Sequence, residues 1–275
     1  MNASPDFLND VDPDINYFDE IIAENHVFST YNSIEDLLNS NPITLSDQNH
    51  LSIFGQNIRS LNRNLDNFMS MFSENNTPDV LVFSETWQNI NNPIAIPGYV
   101  AHHTVRQGRS DGVFIFVKGT ISACKISNFS YANDTVEICC VKVASGSNHI
   151  FILGAYRPFS DTTENFSNSL KSILNDNIFS NSQTVLIGDF NINLMSTGGG
   201  VEEFVDMMRS HHYMQIITDV TRPGNNLSTP SLIDLVWVNR LSAGVIKTGI
   251  TDHYTLFMQL PLFCTESNSE KKNFS

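Results

Sequence analysis

The chain has 275 residues, 41% of them hydrophobic, and a formal net charge of −14. That is enough apolar material for one large α/β domain or two small ones, and no apolar run approaches a membrane span. The polar, acidic N-terminus is not a signal peptide, so a soluble intracellular protein with no membrane partner is expected.

An acidic total argues at first sight against a nucleic-acid partner, because phosphate binding leaves a basic footprint. The acids are unevenly placed, however: residues 1–50 hold ten of the 29 and no Lys or Arg, which leaves the rest at a net of −4. A centre built of metal-binding carboxylates would account for several of those. Cys124, Cys139, Cys140 and Cys264 fit no metal spacing, and the adjacent pair on one strand-like run would face opposite ways. They are expected to be buried thiols in a reducing compartment.

Residues 1–47 mix Asp, Asn and Ser without a sustained period and read as an acidic leader, poorly ordered or loosely helical, with a short serine-capped helix over Ser33 to Leu38. The main domain is expected over 48–264, followed by a polar tail over 265–275. From Leu51 a strand runs to Asn57 and a turn at Arg59, and Leu65, Phe68, Met69 and Phe72 then recur at helical spacing. Val80 to Phe83 is a second apolar strand, ending in Glu85. Gly112 to Val117, Val136 to Val143 and Phe151 to Pro158 suggest an antiparallel meander. Asp161 and Glu164 resemble a capping box before a helix with the stripe Phe166, Leu170, Ile173 and Leu174.

The next strand, Thr184 to Gly188, ends in Gly188-Asp189-Phe190-Asn191, and period-two alternation points Asp189 and Asn191 to one side. A carboxylate there can hold and deprotonate water, and a carboxamide can donate to a phosphoryl oxygen, although such a strand end is as often a simple turn. Gly198 to Gly200 reads as a flexible hinge, Val201, Phe204, Val205 and Met208 mark a further helix, and Thr221 to Ser231 is a turn-rich loop. Strands follow over Leu232 to Asn239, Val245 to Gly249 and Tyr254 to Leu260. Asp234 stands inside an apolar strand, where an unpaired carboxylate is costly and needs a partner such as a histidine. Arg106 and Arg109, beside His102 and His103, form the one concentrated basic patch and suggest phosphate contact.

Asn57, Glu85, Asp189, Asn191, Asp234, Asp252 and His253 therefore each lie at or beside a strand end. Hard oxygen ligands of this kind suit Mg²⁺ or Mn²⁺, and one histidine is too little nitrogen for zinc. Asn57-Ile-Arg-Ser-Leu61, Ser84-Glu-Thr-Trp87, Tyr156-Arg-Pro158, Gly188-Asp-Phe-Asn191, Ser231-Leu-Ile-Asp234-Leu and Thr251-Asp-His253, in that order, resemble the endonuclease domain of non-LTR (LINE-type) retrotransposons. That group lies within the endonuclease/exonuclease/phosphatase superfamily, with deoxyribonuclease I and the apurinic endonucleases. The resemblance spans about Leu51 to Leu260.

It implies a four-layer α/β sandwich, with two mainly antiparallel sheets packed face to face and helices outside. It implies Glu85 as principal metal ligand, with Asn57 and Asp252 contributing, and Mg²⁺ as the cofactor with Mn²⁺ as a substitute. Asp189 would orient and deprotonate the attacking water, and Asn191 would hold the scissile phosphate. His253 would stabilise the phosphoryl oxygens while Asp234 fixes its tautomer, with Tyr156 and Thr221 at phosphate-contacting positions and Arg222 carried into a DNA groove.

The activity so implied is a metal-dependent phosphodiesterase nicking double-stranded DNA to leave a 3′ hydroxyl, working with a separate or missing reverse transcriptase domain in the nucleus. A phosphatase or phosphodiesterase of the same superfamily, acting on a small phosphoester or RNA, is the enzymatic alternative. An inactive, domesticated binding module is the other. Two departures from the family pattern bear on the site: Gly55-Gln56 before Asn57, expected to loosen that strand, and Asp111 before Gly112, expected to weaken DNA contact near Arg109.

Overall fold

The structure is a computed structural model and describes residues 30–40, 50–73, 76–88, 93–106, 111–145, 148–159, 161–224, 228–239, 243–246 and 250–261. The first elements are β1 (Thr30–Tyr31), α1 (Ile34–Ser40), β2 (His50–Asn57), α2 (Leu61–Met69), β3 (Val80–Ser84), β4 (Tyr99–Thr104) and β5 (Val113–Lys118). Next come β6 (Ala123–Lys125), β7 (Tyr131–Ala132), β8 (Glu137–Ser145), β9 (Asn148–Tyr156), α3 (Thr163–Leu174), α4 (Asn177–Ser180) and β10 (Gln183–Asp189). The chain continues through α5 (Val201–Ser210), β11 (Met214–Gln215), β12 (Asp234–Val238), β13 (Ala243–Ile246) and β14 (Thr255–Pro261).

One sheet has the order β1-β13-β14-β2-β3-β5-β4, and the other β11-β12-β10-β9-β8-β6, with β7 beside β8. Both are mixed: β2 with β3 and β9 with β10 run parallel, while their other pairings are antiparallel, apart from β1 with β13.

Alternation decides which face meets which layer. On β3 and β5 of the first sheet, Val80, Val82, Val113, Ile115 and Val117 share a core with the second sheet, while Leu81, Phe83, Phe114 and Phe116 pack outward with Leu61, Leu65 and Phe68 of α2. The two sheets touch most closely where a side chain is missing. A Cβ on Gly55 would lie 2.6 Å from Ile187 of the opposite sheet, and one on Gly154 would lie 2.7 Å from Val113. Gly55 therefore lets β2 approach its partner sheet and does not loosen the strand. Beyond the second sheet, Phe166 and Phe204 of α3 and α5 pack with Phe190 and Trp237.

Several expectations change at this level. The leader boundary moves: β1 pairs in parallel with β13, the Thr30 hydroxyl donates to Asp219, and Leu37 of α1 is fully buried with Phe54 and Phe257. The serine-capped helix is present, Ser33 Oγ accepting from the Asp36 amide at 3.0 Å. Residues 1–29, 41–49 and the tail lie outside the described residues.

The meander is split, because β5 belongs to one sheet while β8 and β9 belong to the other. Thr162, not Asp161, caps α3, its hydroxyl accepting from the Asn165 amide. Gly198, Gly199 and Gly200 all have positive φ and form the turn into α5, with Gly200 at its N-cap. They shape a helix start where a hinge was expected. Cys139 and Cys140 are buried and Cys124 is exposed; Cys264 lies outside the described residues.

Candidate active site

Register aligns four polar side chains across the second sheet. Glu137 is opposite Tyr156, Tyr156 opposite Asp189, and Asp189 opposite Asp234, so β8, β9, β10 and β12 present them in one row. Cross-strand partners project to the same face. Two residues earlier on β9 and β10, Gly154 and Ile187 face the first sheet, so the row does too. On that sheet Asn57 ends β2 beside Ser84 at the end of β3, and Glu85 follows.

The two sheets meet chemically at Asn57. Its Nδ2 donates to Glu85 Oε1 at 2.8 Å and to Asp189 Oδ2 at 2.9 Å. The Tyr156 hydroxyl donates to the same Glu85 oxygen at 3.3 Å. Glu85 and Asn191 both take left-handed backbone, φ 48° each, a conformation uncommon outside glycine that recurs at functional sites. Between the strands, Gly188 has φ +151°, and a Cβ there would lie 2.0 Å from the Ala155 carbonyl. The glycine before Asp189 is thus a steric requirement.

His253 is buried and its Nδ1 lies 2.9 Å from Asp234 Oδ2 and 3.0 Å from Oδ1. Asp234 in turn is held by Thr221, whose Oγ1 accepts from the Ile233 and Asp234 amides at 3.2 and 3.0 Å. Thr221, expected at a phosphate-contacting position, is fully buried and positions the Asp234 strand through these two bonds. Gln56 and Thr251 bind each other and the His253 backbone.

Burial and the neighbouring Asp234 carboxylate push Asp189 up to about 7, against the pull of His253, Asn57 and the Asn191 amide. Burial draws His253 down, but Asp234 above all, with Asp189 and Asp252, outweighs it and raises the imidazole to about 9. The pair thus comprises a carboxylate that can take up a proton near neutrality and a charged imidazolium.

Asn191 is fixed by Arg157, which follows the adjacent strand β9. Its Nδ2 donates to the Arg157 carbonyl at 2.7 Å, while the Arg157 guanidinium donates to the Asn191 carbonyl and, at 2.9 Å, to that of Phe190. Asn191 Oδ1 is buried with no hydrogen-bond partner.

Asp189, Asp234 and His253 have ligand atoms within 4.8 Å of one another, a grouping able to hold a metal ion. Asp234 spends both oxygens on the imidazole and Asp189 spends its two on the Asn57 amide and the Asn191 backbone N–H, whereas the Asn57 and Tyr156 bonds to Glu85 both fall on Oε1. Asn57 turns its nitrogen to the carboxylates; a half-turn of the amide exchanges that for oxygen. Glu85, Asp189 and a flipped Asn57 offer oxygen donors of the kind that fit a hard divalent cation, and Asn191 Oδ1 is a further buried oxygen without a hydrogen-bond partner.

Asp252, expected among the ligands, is taken by two arginines, Arg59 at 2.9 Å and Arg222 at 3.0 Å, and lies 3.8 Å from His253 Nε2. Arg106 also departs from expectation. Its guanidinium is buried among Asp111, Asp134 and Glu137, leaving no free face for a phosphate, while Arg109 lies outside the described residues. Asp111 is likewise spent on Arg106. Sequence reasoning missed Glu137, gave Arg157 no role beyond its motif, and read Gln56 only as a departure from the family pattern. Glu137 carried the signal that exposed Asp234, an ionisable residue set against an apolar strand.

A two-sheet sandwich with carboxylates and an imidazole gathered between the sheet ends defines a hydrolase architecture. The model of the endonuclease/exonuclease/phosphatase family matches residues 53–255, and the chain belongs to that family. Its members are hydrolytic nucleases or phosphodiesterases, generally dependent on a divalent metal, and the sandwich is their deoxyribonuclease I-like fold.

Among solved structures it resembles the endonuclease domain of TRAS1, a telomere-specific non-LTR retrotransposon (TM-score 0.60, 10% identity, 75% of this chain and 96% of that one). It also resembles a 3′-5′ exonuclease from Neisseria meningitidis (0.59, 14%, 78% and 100%). A third neighbour is D. rerio TDP2 complexed with single-strand DNA product (0.53, 11%, 76% and 98%). No curated protein matched the chain in sequence. No helix among the described residues is long and apolar enough to cross a membrane.

Proposed function

We propose that the chain is a Mg²⁺-dependent endonuclease that nicks duplex DNA and leaves a 3′ hydroxyl. The observation that carries this reading is the Asn57 amide bonded at once to Glu85 and Asp189, which joins carboxylates from two sheets into one centre. Glu85 and Asn57 would hold the ion, which when bound supplies positive charge for the leaving oxygen.

Asp189 orients water and takes its proton, a role suited to a carboxyl raised toward neutrality. The water oxygen attacks phosphorus in line while the opposite P–O3′ bond breaks, and the departing 3′ oxygen takes a proton from solvent to become the 3′ hydroxyl. His253, held at Nδ1 by Asp234, turns Nε2 to the phosphoryl oxygens and stabilises charge that grows on them, assisted by Asn191 and Tyr156. Arg222 meets the DNA backbone from the Thr221 to Ser231 loop. In a retrotransposon setting the new 3′ hydroxyl primes a reverse transcriptase carried by a separate or missing domain, acting on chromosomal DNA in the nucleus. The TRAS1 endonuclease among the structural neighbours supports this setting.

Supercoiled plasmid incubated with protein and Mg²⁺ tests the reading. Nicked circles should form and EDTA should abolish them, and Asp189→Ala should slow nicking on the order of a hundredfold or more. Absence of EDTA-sensitive nicking at every salt concentration, or undiminished nicking by the variant, overturns it.

A further inference from the structure

Among the described residues four large apolar side chains are exposed: Trp87, Val100, Phe159 and Met195, at 42%, 51%, 71% and 57%. Exposed apolar residues scattered singly are ordinary. Three of these four are not scattered: Trp87 follows Glu85 by two residues, Phe159 follows Tyr156 by three, and Met195 follows Asn191 by four. Because Glu85 is bonded to Tyr156, and Asn57 to both Glu85 and Asp189, the strand ends that launch these three loops lie at one pole of the sandwich.

The loops are also held in place. Trp87 has φ +51°, an unfavourable conformation for a bulky residue, fixed by its amide on the Asp111 carbonyl at 3.1 Å. Arg157 anchors the segment that carries Phe159 by donating to the carbonyls of Phe190, Asn191 and Asp161. At the same pole Arg59 and Arg222 stand partly exposed on Asp252. Cations at the same pole as flat or soft apolar groups match a ligand that alternates phosphate with aromatic base. A small phosphoester would leave the apolar rim uncovered.

We propose that Trp87 and Phe159, with Met195, form a stacking rim that takes unpaired nucleobases flanking the scissile phosphate, so that duplex DNA is cut where its strands are locally opened. This rests on the phosphodiesterase reading above and names its substrate class. Stacking on aromatic side chains is tolerant of sequence because every base has a flat face.

Trp87 reports on the idea directly, since the only other tryptophan, Trp237, is buried at 1% exposure. In EDTA, to prevent cleavage, titration with a short single-stranded DNA should quench Trp87 emission saturably, and the same strand made abasic should not. Phe159→Ala should weaken binding of the base-bearing strand roughly tenfold while leaving the abasic strand unaffected. Trp87→Leu should abolish the fluorescence change.

Equal quenching and affinity for the two strands, an unmoved Trp87 signal, or an unaltered Phe159→Ala affinity each overturn the rim. Plasmid nicking by a protein that fails this titration removes the rim and leaves the nuclease. A successful titration without cleavage keeps the rim and removes the nuclease.

Discussion

Glu137 has no exposed surface, yet it stands in the same row as Tyr156 and Asp189. Burial pushes its carboxyl up to about 7, against the Gly112 amide and Arg106, which favour the ionised form, while Asp111 adds to the rise. The unfolded chain releases this proton near 4.5 and the folded protein near 7, so the native state holds more protons in between. Stability assigned to Glu137 is thus complete below the unfolded value and declines as pH rises toward 7. Relative to Glu137→Gln, the wild type should lose roughly 3 kcal/mol between those limits, read as urea midpoints across pH; a gap that does not change with pH contradicts the assignment. Residues with acids or amides at strand ends were legible because such groups need a partner when buried. Arg106 was misread because a basic cluster in sequence does not disclose the three carboxylates that β8 and two loops bring to it. The service of Thr221 to the Ile233 and Asp234 amides was not legible, since a hydroxyl accepting from backbone leaves no trace in residue type.

At the scale of elements, the long apolar strands and the helices with sustained stripes could be read from period alone. What escaped was set by partners distant in sequence. Tyr99-Val-Ala-His-His-Thr104 forms β4 with only its last residue buried, and it is held as a strand by pairing to β5. Likewise β1 and α1 lie in a leader of acidic composition, and their place follows from β13 and from Phe54 and Phe257, which composition cannot show. Leu37 should therefore behave as a core residue: Leu37→Ala should cost roughly 3 kcal/mol in urea unfolding, and an unchanged midpoint would detach α1 from the domain.

At the scale of the whole molecule, the order of six short motifs revealed the fold, because four close a strand and two lead into one, and the sandwich brings those ends to one pole. The division of strands between sheets was not legible, since β5 and β8 have the same apolar texture and differ only in which neighbour they find. The central claim is that the sheets contribute halves of one catalytic centre. A double-mutant cycle on plasmid nicking tests it, with Glu85→Gln from the first sheet and Asp189→Asn from the second. Residues acting as a unit lose activity together. Each single variant should slow nicking on the order of a hundredfold or more, and the double variant should fall within about tenfold of the slower single. A double variant slowed by the product of the two single effects would mean two independent sites and would contradict the account.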